Sequence, residues 1–208
     1  MGPCERRKAA GTLTPWPHRW IYKYYQPEVP EEDRTWPKRQ ALMRSKLLGP
    51  DGKSGADVIC IQEACADSFE DDFAFMSEAG YAHLLHTKFR LRVATFWNTA
   101  RVALAEEGAH KSLDRTLCAA LRLTGRPDAS PVYVANAHLT GGPNPDKRLR
   151  QAHDALEWIR KDAAKRAGAA GKGGKDGAPA APAAPAVFFC GDLNDEGASA
   201  VRVPPPSY

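Results

Sequence analysis

Val132-Tyr133-Val134-Ala135-Asn136-Ala137-His138-Leu139 is a continuous, mostly apolar run of strand length that finishes in polar groups. Such a run suits a strand covered on both faces. Gly141-Gly142-Pro143 then reads as a loop, Asn144 as a helix cap and Pro145 as the first helical residue. Leu149, Ala152, Leu156, Ile159 and Ala163 give that helix an apolar stripe. A further apolar strand, Val187-Phe188-Phe189-Cys190, runs directly into Gly191-Asp192-Leu193-Asn194. Upstream, Thr35 and Pro37 open a helix with Trp36, Met43 and Leu47 on one side, ending before Gly49-Pro50. Asp57-Val58-Ile59-Cys60-Ile61 is a buried-type strand that stops at Gln62-Glu63. The pattern predicts a helix over 68–79 and strands over 81–85, 93–97 and 117–123, with a short strand around Ile21 to Tyr25 in an otherwise irregular segment 1–26. Strands and helices interspersed in this way indicate an α/β or α+β layered sandwich.

With 208 residues, 43% of them apolar, the chain can bury a substantial core and is expected to hold one main domain, 27–203, before a tail at 204–208. Segment 163–186 is built from Ala, Gly, Lys and Pro and is expected to be a flexible surface insertion. The net charge of +4 is modest, with basic clusters only at Arg6-Arg7-Lys8 and between Lys147 and Arg166, so it is compatible with a phosphate-bearing substrate without requiring one. Behind the positive charges of the N-terminus there is no apolar region of a secretory signal, Arg6 stands where myristoylation wants Ser or Thr, and no membrane span is present. The expected location is intracellular, the cytoplasm first and the nucleus as the alternative. Five cysteines, at 4, 60, 65, 118 and 190, lack the close spacing of structural zinc sites. Their odd total argues against a disulfide framework and for a reducing compartment.

Three buried-type strands thus end in groups capable of chemistry: Glu63 after the first, Asn136 and His138 on the second, Asp192 and Asn194 after the third. Strand ends are where a rigid sheet meets an open loop, and sites are assembled there. Glu63 can give Mg2+ a hard oxygen ligand, with Mn2+ as a substitute. Asp192 can orient or deprotonate water, Asn194 can hold it or the developing charge, and His138 can donate to a phosphate oxygen. Each motif alone is also an ordinary turn or core feature. Gly-Asp-x-Asn is common turn chemistry, and a lone His is more often a hydrogen-bonded core residue.

Taken in order, Ile61-Gln62-Glu63, Ala137-His138-Leu139 and Gly191-Asp192-Leu193-Asn194 resemble the three successive signatures of the endonuclease/exonuclease/phosphatase superfamily, with further matches at Trp36-Pro37-x-Arg39 and Ala94-Thr95-Phe96-Trp97. Pro145-x-x-Arg148-Leu149-x-Gln151 is similar to the deadenylase and nocturnin-like branch. The resemblance implies an α+β sandwich of two packed mixed β-sheets flanked by helices. It also implies magnesium-dependent hydrolysis of a phosphodiester or phosphomonoester, in RNA, another nucleic acid or a nucleotide. By the same resemblance Glu63 is the metal ligand, His138 contacts the scissile phosphate, Asp192 orients the water and Asn194 supports the transition state, while Arg148 and Asn136 are candidate phosphate contacts.

The sequence departs from the family pattern at both ends. The family's first-strand Asn is absent from Leu13-Thr14-Pro15-Trp16-Pro17-His18-Arg19-Trp20, and fourteen residues after Asn194 leave no room for the family's C-terminal Asp-His pair. The sandwich is therefore expected to be incomplete at its C-terminus. A catalytically inactive module binding RNA or a phosphate ligand, or a truncated product, stand beside the hydrolase as alternative readings.

Overall fold

The computed structural model describes residues 30, 35–49, 55–126, 129–170 and 184–195. They fall into two compact units: one holds the described residues up to Ala56 together with Cys65–Tyr81, and the other holds Asp57–Ala64 and those from Ala82 onward. The short strand expected near Ile21, the segment 1–26 and the tail 204–208 lie outside the described residues.

In the first unit, helix α1 (Trp36–Leu48) begins with Pro37 in its first turn and buries Trp36 and Leu48. Met43 and Leu47, expected on the buried side, are only half-buried. Gln40 Nε2 donates to the carbonyls of Asp71 and Asp72 at 3.1 and 2.8 Å. The single helix expected over 68–79 is two short ones, α2 (Phe69–Asp72) and α3 (Ala74–Glu78), separated at Phe73 with φ −116° and ψ 15°. The reason lies in the side chains. Phe73, Phe75 and Met76 are all buried, yet positions two apart on a continuous helix face nearly opposite ways. Breaking at Phe73 lets its ring meet both Phe69 and Phe75, with centroids 5.1 and 6.1 Å away.

Apart from the end residues Cys65 and Tyr81, the second unit carries the strands of two sheets. β1 (Val58–Cys65), β3 (Leu91–Asn98) and β2 (Tyr81–Leu85) form a three-stranded sheet in that order. In the second sheet the order is β4 (Val102–Leu104), β6 (Thr116–Leu123), β7 (Val132–His138), β8 (Val187–Asp192), with β5 (His110–Ser112) also pairing β6. The β4, β5 and β7 partners of β6 are antiparallel, whereas β7 and β8 are parallel. The parallel pair requires a crossover, which helix α4 (Pro145–Ala170) provides. This is the α+β sandwich expected from the sequence. β1 runs four residues past the expected end at Ile61, and the three-residue strands β4 and β5 were too short to leave a pattern.

Alternation along β6 and β7 explains why they read as unbroken apolar runs. Cys118, Ala120, Tyr133 and Ala135 pack on Ala155 and Ile159 of α4. Ala119, Leu121 and Val134 instead pack with Trp97 and Val102, joined by Val58 and Cys60 of the first sheet. Burying each large aliphatic side chain here contributes about 1.5–3 kcal/mol.

Helix α4 buries Ala152 and Ile159 of the expected stripe and half-buries Leu156 and Ala163, but its buried face departs from that stripe at the N-terminal end. Arg148, Gln151, Ala152, Ala155 and Ile159 are buried, spaced as one helical face, while Leu149 is exposed. The helix also continues through Ala170, so the first third of the expected flexible insertion is ordered; residues 171–183 lie outside the described set. An ionic network accounts for the extension. Tyr133 Oη donates to Asp162 at 2.8 Å, and Arg166 bridges Asp162 at 2.6 Å and Glu106 at 3.1 Å. Burial and the adjacent Asp162 carboxylate push the Tyr133 phenol up to about 12, so it stays a neutral donor near pH 7.

Candidate active site

The in-register pairing of β7 with β8 places Asn136 beside Cys190 and His138 beside Asp192. Residues two apart on a strand share a face, so Val134, Asn136 and His138 all look toward the first sheet. Asn136 is fully buried there and ties the sheets together: its Nδ2 donates to Ala94 O at 2.9 Å and to Ile61 O and Thr95 Oγ1 at 3.3 Å, while its Oδ1 accepts from Gln62 Nε2 at 2.9 Å. Its amide groups are thus engaged within the protein, and the side chain acts as an inter-sheet clamp.

One turn of backbone brings the acid from β1 into the group. If alternation continued past Gln62, Glu63 would face away from β7. Glu63 instead adopts φ 61°, a left-handed conformation uncommon outside glycine, and its Oε1 comes to 4.0 Å from His138 Nε2. Holding a non-glycine residue there costs of the order of 1–3 kcal/mol, and such strain concentrates at functional sites.

Asp192 approaches the same nitrogen, with Oδ2 3.7 Å from His138 Nε2. Its Oδ1 accepts the backbone N–H of Asn194 at 2.9 Å. Asn194, at φ 50°, donates Nδ2 to Leu139 O at 2.7 Å, which leaves its Oδ1 and a second amide hydrogen for other partners. The His138 side chain is 20% exposed, whereas those of Glu63 and Asp192 are 47% and 50% exposed. Two solvent-accessible carboxylates therefore flank a largely covered imidazole, an arrangement that attracts a hydrated cation and can exchange protons with bound water.

The backbone of this cluster is fixed by its neighbours. His138 N donates to Arg115 O and Leu139 N to Asp192 O, each at 2.9 Å. Arg148 is buried and donates Nη1 to Gly142 O at 2.7 Å and Thr140 O at 3.4 Å. Gln151 accepts from Thr140 N at 3.0 Å and donates to Asp114 at 2.6 Å. The structure thus brings Glu63, His138, Asp192 and Asn194 together and uses Arg148, expected as a phosphate contact, to brace loop 140–142. Reasoning from sequence missed the wall beside His138, where Arg115, Arg92, Phe89 and His86 line a shallow depression and the Arg115 guanidinium lies 4.2 Å from the Phe89 ring centre. Thr95, quoted from sequence only within the Ala94-Thr95-Phe96-Trp97 match, accepts from the Asn136 amide at 3.3 Å.

Solved structures share this framework. The catalytic domain of human nocturnin, solved with a sulfate anion, superposes with a TM-score of 0.57 at 17% identity, over 81% of this chain and 60% of that one. ANGEL2, described as a 2′,3′-cyclic phosphatase and solved with adenosine-2′,3′-vanadate, gives 0.58 at 18% identity, over 85% and 50%. An endonuclease/exonuclease/phosphatase family protein from Bacteroides thetaiotaomicron gives 0.53 at 14% identity, over 80% and 58%. This chain has the endonuclease/exonuclease/phosphatase fold. It spans one half to three-fifths of the length of these structures. No protein-family model and no curated protein matches the sequence. Among the described residues, no helix is long and apolar enough to cross a membrane.

Proposed function

We propose that this chain carries the core of a divalent-metal-dependent phosphoester hydrolase acting on RNA or a nucleotide. The observation that carries the reading is the convergence of Glu63, His138 and Asp192 from the ends of three strands, within 4.0 Å of one another through the imidazole. Two structures sharing the fold hold phosphate-like groups, a sulfate and a vanadate on adenosine, which supports a phosphoester substrate.

The donor set fits magnesium rather than a softer ion. Among the described residues no group of three or more His, Cys, Asp or Glu side chains is placed to enclose a metal. Mg2+ commonly keeps several waters and binds through one or two carboxylates, and the exposed Glu63 carboxylate suits that mode. When bound, the ion supplies Lewis-acid polarisation of a phosphoryl oxygen.

The remaining steps belong to the side chains. Asp192, with Oδ1 fixed by the Asn194 N–H, presents Oδ2 to accept a proton from an attacking water. His138 donates from Nε2 to a non-bridging phosphate oxygen. Asn194 offers its unused amide hydrogen to the same developing charge.

The test is turnover of bis(p-nitrophenyl) phosphate and adenosine 2′,3′-cyclic phosphate by the purified chain with Mg2+, and again with excess chelator. Hydrolysis that requires the metal is expected. Equal rates in chelator, or no turnover of any phosphoester with Mg2+ or Mn2+, overturn the proposal.

A further inference from the structure

Cys60 and Cys190 take no part in the chemistry above, yet they occupy corresponding places on the two sheets. Cys60 lies three residues before Glu63 in β1, and Cys190 lies two before Asp192 in β8. Both pack on the inter-sheet cluster of Trp97, Leu121 and Val134. Both also line one cleft of about 490 Å³, whose walls include Val58, Val102 and Phe188. There each thiol lies close enough to the other to shift its proton affinity, and Cys190 Sγ also lies 3.8 Å from Ala135 O. Both residues are half-buried free thiols.

We propose that Cys60 and Cys190 are a disulfide-forming site, closed by reaction with hydrogen peroxide and joining the two sheets behind the active-site cluster. The cleft is far larger than a small hydroperoxide and leads to both sulfurs. Disulfides between facing sheets are a known device of β-sandwiches. The chemistry suits an asymmetric pair: the neighbouring Cys190 pushes the Cys60 thiol up, and the adjacent Cys60 thiol brings Cys190 below the ordinary thiol range.

The Cys190 thiolate attacks one peroxide oxygen. An S–O bond forms, the O–O bond breaks, and the departing hydroxide takes a proton to leave as water. The Cys60 sulfur then attacks the Cys190 sulfenic sulfur: the S–S bond forms, the S–O bond breaks, and a second water leaves with the Cys60 proton. Two thiols are oxidised by two electrons, and the peroxide is reduced to two waters. Cys118 provides the contrast. It faces α4 on the other side of the second sheet, and burial alone pushes it up to about 12.

The experiment treats the full chain with hydrogen peroxide, alkylates it in denaturant and maps its non-reduced peptides. The expected result is a loss of two hydrogens in the intact mass, reversed by dithiothreitol, with a Cys60–Cys190 cross-linked peptide that forms faster in native than in urea-unfolded protein. Cys60→Ser should abolish the cross-link and leave Cys190 as sulfenic or sulfinic acid. Mapping in the unsubstituted chain decides the matter even if that variant fails to fold. Cross-links between other cysteines only, equal formation in urea, or both thiols still open to alkylation after peroxide treatment overturn the proposal.

Discussion

His138→Ala is expected to lower phosphoester turnover by about 10²–10³-fold, the usual cost of removing one donor to the charge that develops in the transition state. It should barely change stability. The His138 backbone is held by Arg115 O and by the β7–β8 register, neither of which involves the imidazole. Its ring meets Glu63 and Asp192 only at 4.0 and 3.7 Å, outside hydrogen-bond range, so its removal should cost no more than about 1 kcal/mol. The substitution also removes the one group between two carboxylates, and the site should then hold a cation without turning substrate over. Measuring kcat beside the thermal midpoint separates the two roles. Unchanged kcat with a large fall in midpoint would make His138 a structural residue.

Gly191→Ala is expected to destabilise the chain by about 2–3 kcal/mol, read as a fall in Tm of roughly 5–10 °C for a chain of this size. Gly191 has φ 125°, and a Cβ built on it would lie 2.0 Å from the carbonyl oxygen of Ala137. Because that neighbour is backbone, it can yield only by moving β7 away from β8. The displacement falls on the pair that sets His138 beside Asp192, so activity should drop with stability. Gly108→Ala makes a suitable control, since Gly108 also has a positive φ, 74°, but nothing stands within 4 Å of its Cβ position. The control should cost about 1 kcal/mol. Equal losses in the two variants would show that the close approach to Ala137 does not matter.

Much of the site was legible because chemistry and strand pattern coincide. Glu63, His138, Asp192 and Asn194 each follow or end an apolar run, and the sheets bring these ends together. Helix α4 shows where the reading fell short. Leu149 looked like part of the buried stripe, but the buried face passes through Arg148 and Gln151, because loop 140–142 and Asp114 offer hydrogen-bond partners that only the folded chain reveals. The hydrogen-bond partners of Asn136 were hidden for the same reason, lying 41 to 75 residues away in sequence. The continuation of α4 through Ala170 depends on contacts of Asp162 and Arg166 with Tyr133 and Glu106, which composition does not show. The rotation of Glu63 toward His138 depends on one backbone angle, and no residue type announces a left-handed glutamate.

Glu63 is expected to hold a divalent cation in front of His138 and Asp192, and Mn2+ titration followed by electron paramagnetic resonance tests this most directly. The unsubstituted chain and His138→Ala should each bind Mn2+, with Mg2+ competing, while Glu63→Gln should lose the binding and keep its fold. Undiminished Mn2+ binding by a folded Glu63→Gln variant, or no binding by the unsubstituted chain, would contradict it.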